Sequence, residues 1–221
     1  MVNILLEGYD IGVPWLYDEL KNYIKPEHSV AVIAFSFRDS IVQSCEDWDA
    51  LYSRKCGKYY SGIVDAFATY GISEKKITFL NYFTDTEVSA AQKIAESDII
   101  YFLGGLPDRM MERIKEFDLQ KVLLNHKGIV MGYSAGAVIQ LKEYHLSPDD
   151  DYPIFAYYEG LPYLKDFYLE VHYEGTDVQN ECIRRVIAER GKPVYATALG
   201  KGAILVENGN IKLLGDVHVF L

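Results

Sequence analysis

The stretch GIVMGYSAGAVIQL, residues 128–141, places Ser134 between Gly132 and Gly136 in a G-x-S-x-G pattern. A serine hydroxyl becomes an acyl-transfer nucleophile when it is lifted clear of its own backbone and a base takes its proton. The flanks suit that use. Ile129-Val130-Met131 is short, apolar and partly β-branched, which predicts a buried strand, while Ala137, Val138 and Leu141 keep helical spacing. A sharp strand-to-helix turn strains its joint residue, and glycines two before and two after let neighbouring backbones approach. An ordinary turn serine can carry the same pentapeptide. The strand before and the helix after favour the nucleophile.

Such a serine needs a histidine, and the histidine needs an orienting acceptor. Of the five histidines, His28 falls in a loop, His126 at the far end of the elbow strand, and His145 near the end of the elbow helix. His218 falls in the last strand. His172 is better placed: it follows the apolar run FYLEV and precedes YEGTD, a loop leading into a helix capped by Thr176 with Gln179. That position is the C-terminal edge of a sheet, where open α/β folds hold their sites. For the acid, SPDDDYPI offers Asp149, Asp150 and Asp151 between serine and histidine. Three adjacent carboxylates also describe a solvated loop. Glu170 and Glu174 flank His172; the first should sit too far along the strand, and the second could fold back.

An oxyanion needs two backbone donors. The amide of Ala135, just after the serine, is one. Gly104-Gly105 in YFLGGLPD can bring a second to the same point, although the pair also suits a plain turn with Pro107 opening a helix.

The elements that must position these residues alternate between short apolar strands and amphipathic helices. Strands are expected at 2–6, 29–35, 77–80 and 99–103. Helices are expected around Trp15–Ile24, from Tyr60 to a stop at Gly71, from a Thr84/Glu87 capping box through Ile94, and after Pro107. All-apolar strands in such an alternation predict an α/β fold, a mostly parallel sheet with helices on both faces. AILVENGNIKLL adds a C-terminal antiparallel hairpin turning at Asn208-Gly209. Residues 38–58 carry only weak periodicity.

The whole chain of 221 residues reads as a single domain, 1–221, and 49% hydrophobic residues can supply a sizeable core. A net charge of −10 argues against nucleic acid as partner. Three cysteines without C-x-x-C spacing make neither a disulfide framework nor a zinc site, so no metal is expected and a reducing cytoplasm fits. The opening MVNILLEGYDIG lacks the pattern of a signal peptide, and no run reaches the ~18 apolar residues of a membrane span. Tyrosine is abundant, and the run Tyr152, Tyr157, Tyr158, Tyr163 could line a pocket, though half-buried surface positions explain it better.

Taken in order, YFLGG, GIVMGYSAGA, EVHYEG and ALGKGAILVENGNIKLLG resemble the peptidase E (aspartyl dipeptidase) and cyanophycinase family of serine peptidases, over nearly the whole chain. The resemblance implies a type 1 (class I) glutamine amidotransferase-like fold. It matches Ser134 to the nucleophile and His172, 38 residues on, to the base, with Gly105 and Ala135 at the oxyanion turn and elbow. Members often carry GGGN where this chain reads GGLPD, so an Asn contact is missing. Peptidase E takes its acid from a glutamate near the C-terminal strands, but Leu199-Gly200-Lys201-Gly202 has no carboxylate. Cyanophycinase-like members take theirs from the loop between serine and histidine, where DYPI is the closest match; this implies Asp151, with Asp149 second. Gln179 stands near the place of the arginine that recognises an N-terminal aspartate, which argues against strict aspartyl specificity.

The expected activity is therefore a peptidase E-type serine hydrolase acting through an acyl-enzyme on short peptides or isopeptides. No cofactor and no membrane partner are expected, and a homodimer is left open. Two rivals stand beside it: an α/β-hydrolase-type esterase using His218, and a catalytically silent binding protein on the same fold. An elbow serine in place of cysteine argues against an amidotransferase proper.

Overall fold

The computed structural model describes residues 1–221. The first half of the chain runs β1 (Val2–Leu6), α1 (Pro14–Leu20), β2 (Val30–Ile33), α2 (Cys45–Tyr52), α3 (Tyr60–Ala68), β3 (Ile77–Leu80) and α4 (Glu87–Ala95). It continues through β4 (Ile99–Phe102), α5 (Pro107–Glu116), α6 (Gln120–Asn125), β5 (Ile129–Tyr133) and the short α7 (Ala135–Val138). The last part comprises β6 (Glu143–Leu146), β7 (Ala156–Glu159), β8 (Tyr168–Tyr173), α8 (Asp177–Arg190), β9 (Val194–Glu207) and β10 (Asn210–Phe220). No helix is long and apolar enough to cross a membrane.

The main sheet has the order β10-β9-β1-β5-β4-β2-β3, and β8 also pairs with β9. Strands β1, β5, β4, β2 and β3 are mutually parallel, as their apolar runs predict. Alternation along each strand sends Leu5, Ile33, Phe102 and Val130 to one face, and Ile4, Val32, Tyr101 and Met131 to the other. Residues of α4, α5 and α6 pack on the first face and residues of α1, α2 and α3 on the second, so helices cover both faces. At the C-terminal end, Asn208 and Gly209 both have positive φ (50° and 82°), the backbone of a tight hairpin that joins β9 to β10 antiparallel.

Three expectations change in detail. The α4 cap is Thr86 with Ser89 rather than Thr84 with Glu87, because the Asn81 side chain accepts the amides of Phe83 and Thr84 and holds Thr84 in a turn. The elbow helix α7 ends at Val138. Leu141 leaves helical geometry to bridge Leu164, and His145 lies within β6 instead of at a helix end. Residues 45–52 form α2, capped by the Ser44 side chain on the Asp47 amide, which weak periodicity concealed.

One feature of the sheet governs the site. The first part of β9 pairs with β8 (Tyr168 opposite Val194 through Tyr173 opposite Ala198) and the second with β1 (Leu6 opposite Ala203 through Val2 opposite Glu207). Since β10 takes the other edge of β9 along both parts, β8 and β1 share the remaining edge. One runs parallel to β9 and the other antiparallel. Their C-terminal ends therefore meet head to head across residues 199–202.

Candidate active site

Ser134 sits at the joint of β5 and α7 with φ 51° and ψ −115°, a conformation that costs a non-glycine residue on the order of 1–3 kcal/mol. The surroundings hold it there. Its amide donates to the Leu6 carbonyl at 3.0 Å, and a Cβ on Gly136 would run into the Phe102 backbone. Gly136 is thus glycine because α7 starts in contact with β4. From this turn at the end of β5 the serine hydroxyl reaches the imidazole of His172.

His172 also has positive φ, 54°, and lies where the pairing of β8 with β9 shifts register between Glu170 and Tyr173. Such a bulge re-aims a side chain out of strand alternation. Gln179, in the first turn of α8, braces the bulge. Its Nε2 donates to the His172 carbonyl at 2.9 Å, and its Oε1 accepts the Glu174 amide at 3.0 Å. The expected Thr176 cap is also present, accepting the Gln179 amide at 3.2 Å. Gln179, read from the resemblance as standing in for a substrate-binding arginine, is committed to shaping the histidine turn.

The imidazole joins two groups. Ser134 Oγ lies 2.8 Å from Nε2, and Nδ1 is in hydrogen-bond contact with Glu7 Oε1. An ionised carboxylate only accepts, so Nδ1 carries the proton and Nε2 is left as the acceptor of the serine O–H. Glu7 is only 4% exposed, whereas the His172 side chain is 46% exposed. A buried carboxylate is costly unless each oxygen is satisfied. Here Oε1 takes the histidine N–H and Oε2 the Gly200 amide.

Asp151, expected as the acid, does not meet His172 in the structure. Its carboxylate engages the Arg38 fork, with Nε at 3.2 Å and Nη2 as the second donor. A guanidinium matches both carboxylate oxygens at once, so the loop is drawn toward the end of β2 and away from His172. Asp149 turns inward on its own loop, accepting the amides of Asp151 and Tyr152. Glu170 accepts from buried His145 (2.8 Å) and from Ser147 (2.9 Å). His218 pairs with Asp216 at 3.3 Å, and His126 meets the Asp98 carbonyl at 3.2 Å. None of these reaches Ser134.

Sequence reasoning passed over Glu7, although a signal existed. It is the first residue after an apolar strand, at the same C-terminal edge that singled out His172. The stretch 199–202, searched for a carboxylate, instead supplies the N–H that holds one.

The Gly104–Gly105 turn follows β4. Ser36 Oγ donates to the Gly104 carbonyl at 2.5 Å, and the Leu106 amide donates to the Ser36 carbonyl at 2.8 Å. Because a trans peptide directs C=O and N–H oppositely, the Ser36 contact turns the Gly105 N–H away from Ser36. That amide has no acceptor within the protein. Gly105 has φ 136°, and a Cβ there would meet the Ser36 backbone, so no other residue fits the turn. The Ala135 amide opens α7, where helix geometry leaves N–H groups without intrahelical partners.

Beside this turn opens a cavity of about 510 Å³, lined by Tyr133, Gly104, Gly105 and residues from Ser36 to Ile63. Burial pushes the phenols of Tyr133 and Tyr52 above their ordinary range, so both stay neutral. Tyr152, Tyr157, Tyr158 and Tyr163 do not line it. Tyr152 donates to Asp108, Tyr157 to Glu189 and Tyr163 to the Leu123 carbonyl, while Tyr158 stacks on Tyr144.

The fold recurs in solved structures. A protein provisionally named peptidase E from Listeria monocytogenes EGD-e superimposes with a TM-score of 0.67 at 17% identity, covering 97% of this chain and 98% of that one. A peptidase from an acI-B1 Actinobacterium gives 0.66 at 15% identity, covering 99% of this chain and 89% of that one. At such identities the likeness is one of fold. No curated protein matches the sequence at a significant level. Family membership rests on the sequence itself: residues 49–214, which include Ser134 and His172 but not Glu7, match Peptidase family S51, so the chain belongs to that family and is a serine-type peptidase.

Proposed function

We propose that the enzyme hydrolyses amide bonds of short peptides through an acyl-enzyme on Ser134, with His172 as general base and Glu7 as its orienting acid. The observation that carries this is the continuous chain Ser134 Oγ–H, His172 Nε2, His172 Nδ1–H, Glu7. As Ser134 Oγ attacks the substrate carbonyl, its proton passes to Nε2, and the resulting imidazolium is stabilised by the Glu7 carboxylate. The carbonyl oxygen becomes an oxyanion and takes the free amides of Gly105 and Ala135. Collapse breaks the C–N bond while Nε2 returns the proton to the departing amine. Water, deprotonated by the same nitrogen, then attacks the acyl carbonyl and releases Ser134.

The silent-protein reading rests on the missing carboxylate at 199–202 and on the altered glycine turn; the contact of Glu7 with His172 weighs against the first ground. The esterase reading needed His218, which faces Asp216 and the Tyr173 ring on the hairpin. A fluorophosphonate probe with mass mapping tests the proposal. Labelling at Ser134 that disappears in a folded Ser134→Ala variant is the expected result; a folded enzyme labelled elsewhere or not at all overturns it.

A further inference from the structure

The cavity beside Gly105 is placed and built to select substrates. Along the sheet edge the order is β9, β1, β5, β4, β2, so Ser134 at the end of β5 has Glu7 and His172 on one side. The Gly104–Gly105 turn after β4 and Ser36-Phe37 after β2 lie on the other. His172 must protonate the departing amine, so the leaving group lies on the β1 side. The acyl portion of the substrate is then directed over β4 and β2, into the cavity.

The lining decides what fits. Its walls include Phe37, Val42, Leu51, Tyr52, Tyr59 and Ile63, and no carboxylate lines it. Two cations do, Arg38 and Lys58. Arg38 is already occupied by Asp151, and Lys58 is exposed, its ammonium 5.2 Å from the centre of the Tyr59 ring. A lysine or arginine side chain entering would meet only like charge. An aspartate would lose its hydration among mostly apolar walls, with Arg38 paired to Asp151 and Lys58 exposed to solvent. A bulky uncharged ring loses nothing polar and packs against these apolar walls, where the tyrosines offer edge-to-face geometry.

We propose that this cavity is the acyl-side specificity pocket and takes an aromatic side chain, so the enzyme prefers an aromatic residue on the carbonyl side of the scissile bond. This rests on Ser134 being the nucleophile and His172 the base. Gly62 offers the means to test it. It lines the cavity from the exposed face of α3, and the nearest atom to a Cβ there is a Tyr9 ring carbon at 4.0 Å. Gly62→Phe therefore fills the cavity while improving helix propensity.

The experiment measures kcat/KM for the dipeptides Phe-Leu, Ala-Leu, Asp-Leu and Lys-Leu with the natural chain and with Gly62→Phe. The natural enzyme should favour Phe-Leu over Asp-Leu and Lys-Leu by at least about tenfold, within the range pocket contacts give. In Gly62→Phe the Phe-to-Ala preference should fall by about tenfold. Preference for Asp-Leu, or a Phe-to-Ala ratio unmoved by Gly62→Phe, overturns the pocket while leaving fluorophosphonate labelling of Ser134 intact. If no peptide is cleaved, calorimetric binding of the same dipeptides to folded Ser134→Ala decides. Phe-Leu binding that Gly62→Phe weakens supports the pocket, and equal or absent binding of Phe-Leu and Asp-Leu rejects it.

Discussion

Glu7 and His172, 165 residues apart in the chain, share a hydrogen bond because the ends of β1 and β8 abut across one stretch of β9. The Gly200 amide on that stretch holds the second carboxylate oxygen. The carboxylate that meets His172 thus lies outside the segment that matches the family, while Ser134 and His172 lie inside it.

Removing the carboxylate charge should slow turnover without unfolding the protein. Glu7→Gln can still accept the Gly200 amide but no longer holds the histidine N–H as an ionised partner. We expect kcat to fall by about 10²–10⁴-fold, in line with the loss of an orienting acid in the serine-protease triad. Asp151→Asn, which only loosens the Arg38 contact, should keep kcat within about threefold of the natural enzyme, the scale of an exposed ion pair. Steady-state kinetics on one peptide substrate distinguishes the two.

Ser36 aims the Gly105 amide through the Gly104 carbonyl, so Ser36→Ala should free that peptide to rotate. The consequence falls on the transition state, where the oxyanion needs the donor, and not on ground-state binding. An expected drop in kcat of about tenfold, with KM little changed, is smaller than the 10²–10³ for deleting an oxyanion donor outright. A KM effect with unchanged kcat would show that the contact shapes binding instead.

The elbow tolerates no side chain at Gly136. Gly136→Ala pushes a methyl group into the Phe102 backbone, and overpacking of this kind costs about 1–3 kcal/mol. Thermal unfolding should show a lowered Tm, and fluorophosphonate labelling of Ser134 should fall in whatever folded protein remains.

Asp98 ties the start of β4 to the start of β2. Its carboxylate accepts the Ser29 amide (2.8 Å) and hydroxyl (2.9 Å), and these hydrogen bonds, the amide's foremost, hold its pKa below the ordinary value. A folded-state pKa below the unfolded one, about 3.9, means that the contribution is fully present above that pH and is lost as pH falls through the lower folded value. The Tm difference between the natural chain and Asp98→Asn should therefore be steady near neutrality and shrink toward zero in acid. A difference independent of pH down to about 2 would count against the charged hydrogen bonds as its source.

Local pattern determined much of this protein. Apolar runs at 2–6, 77–80 and 99–103 could be buried only as parallel strands, Asn208-Gly209 could turn only as a tight hairpin, and G-x-S-x-G between strand and helix located Ser134. These are short-range consequences of burial, period and backbone sterics, which neighbouring residues carry in full. The partner of His172 was of another kind. Asp149, Asp150 and Asp151 lie nearer in the chain, and the family resemblance points to them, but whether a carboxylate meets an imidazole depends on which strand ends converge. That convergence comes from β9 pairing with β8 and β1 in succession, a long-range choice no local pattern records. Arg38, in turn, claimed Asp151 because two loops distant in sequence meet above β2. The cavity beside Gly105 has the same origin, since its walls come from a region, 38–58, whose own periodicity was too weak to show even its helix.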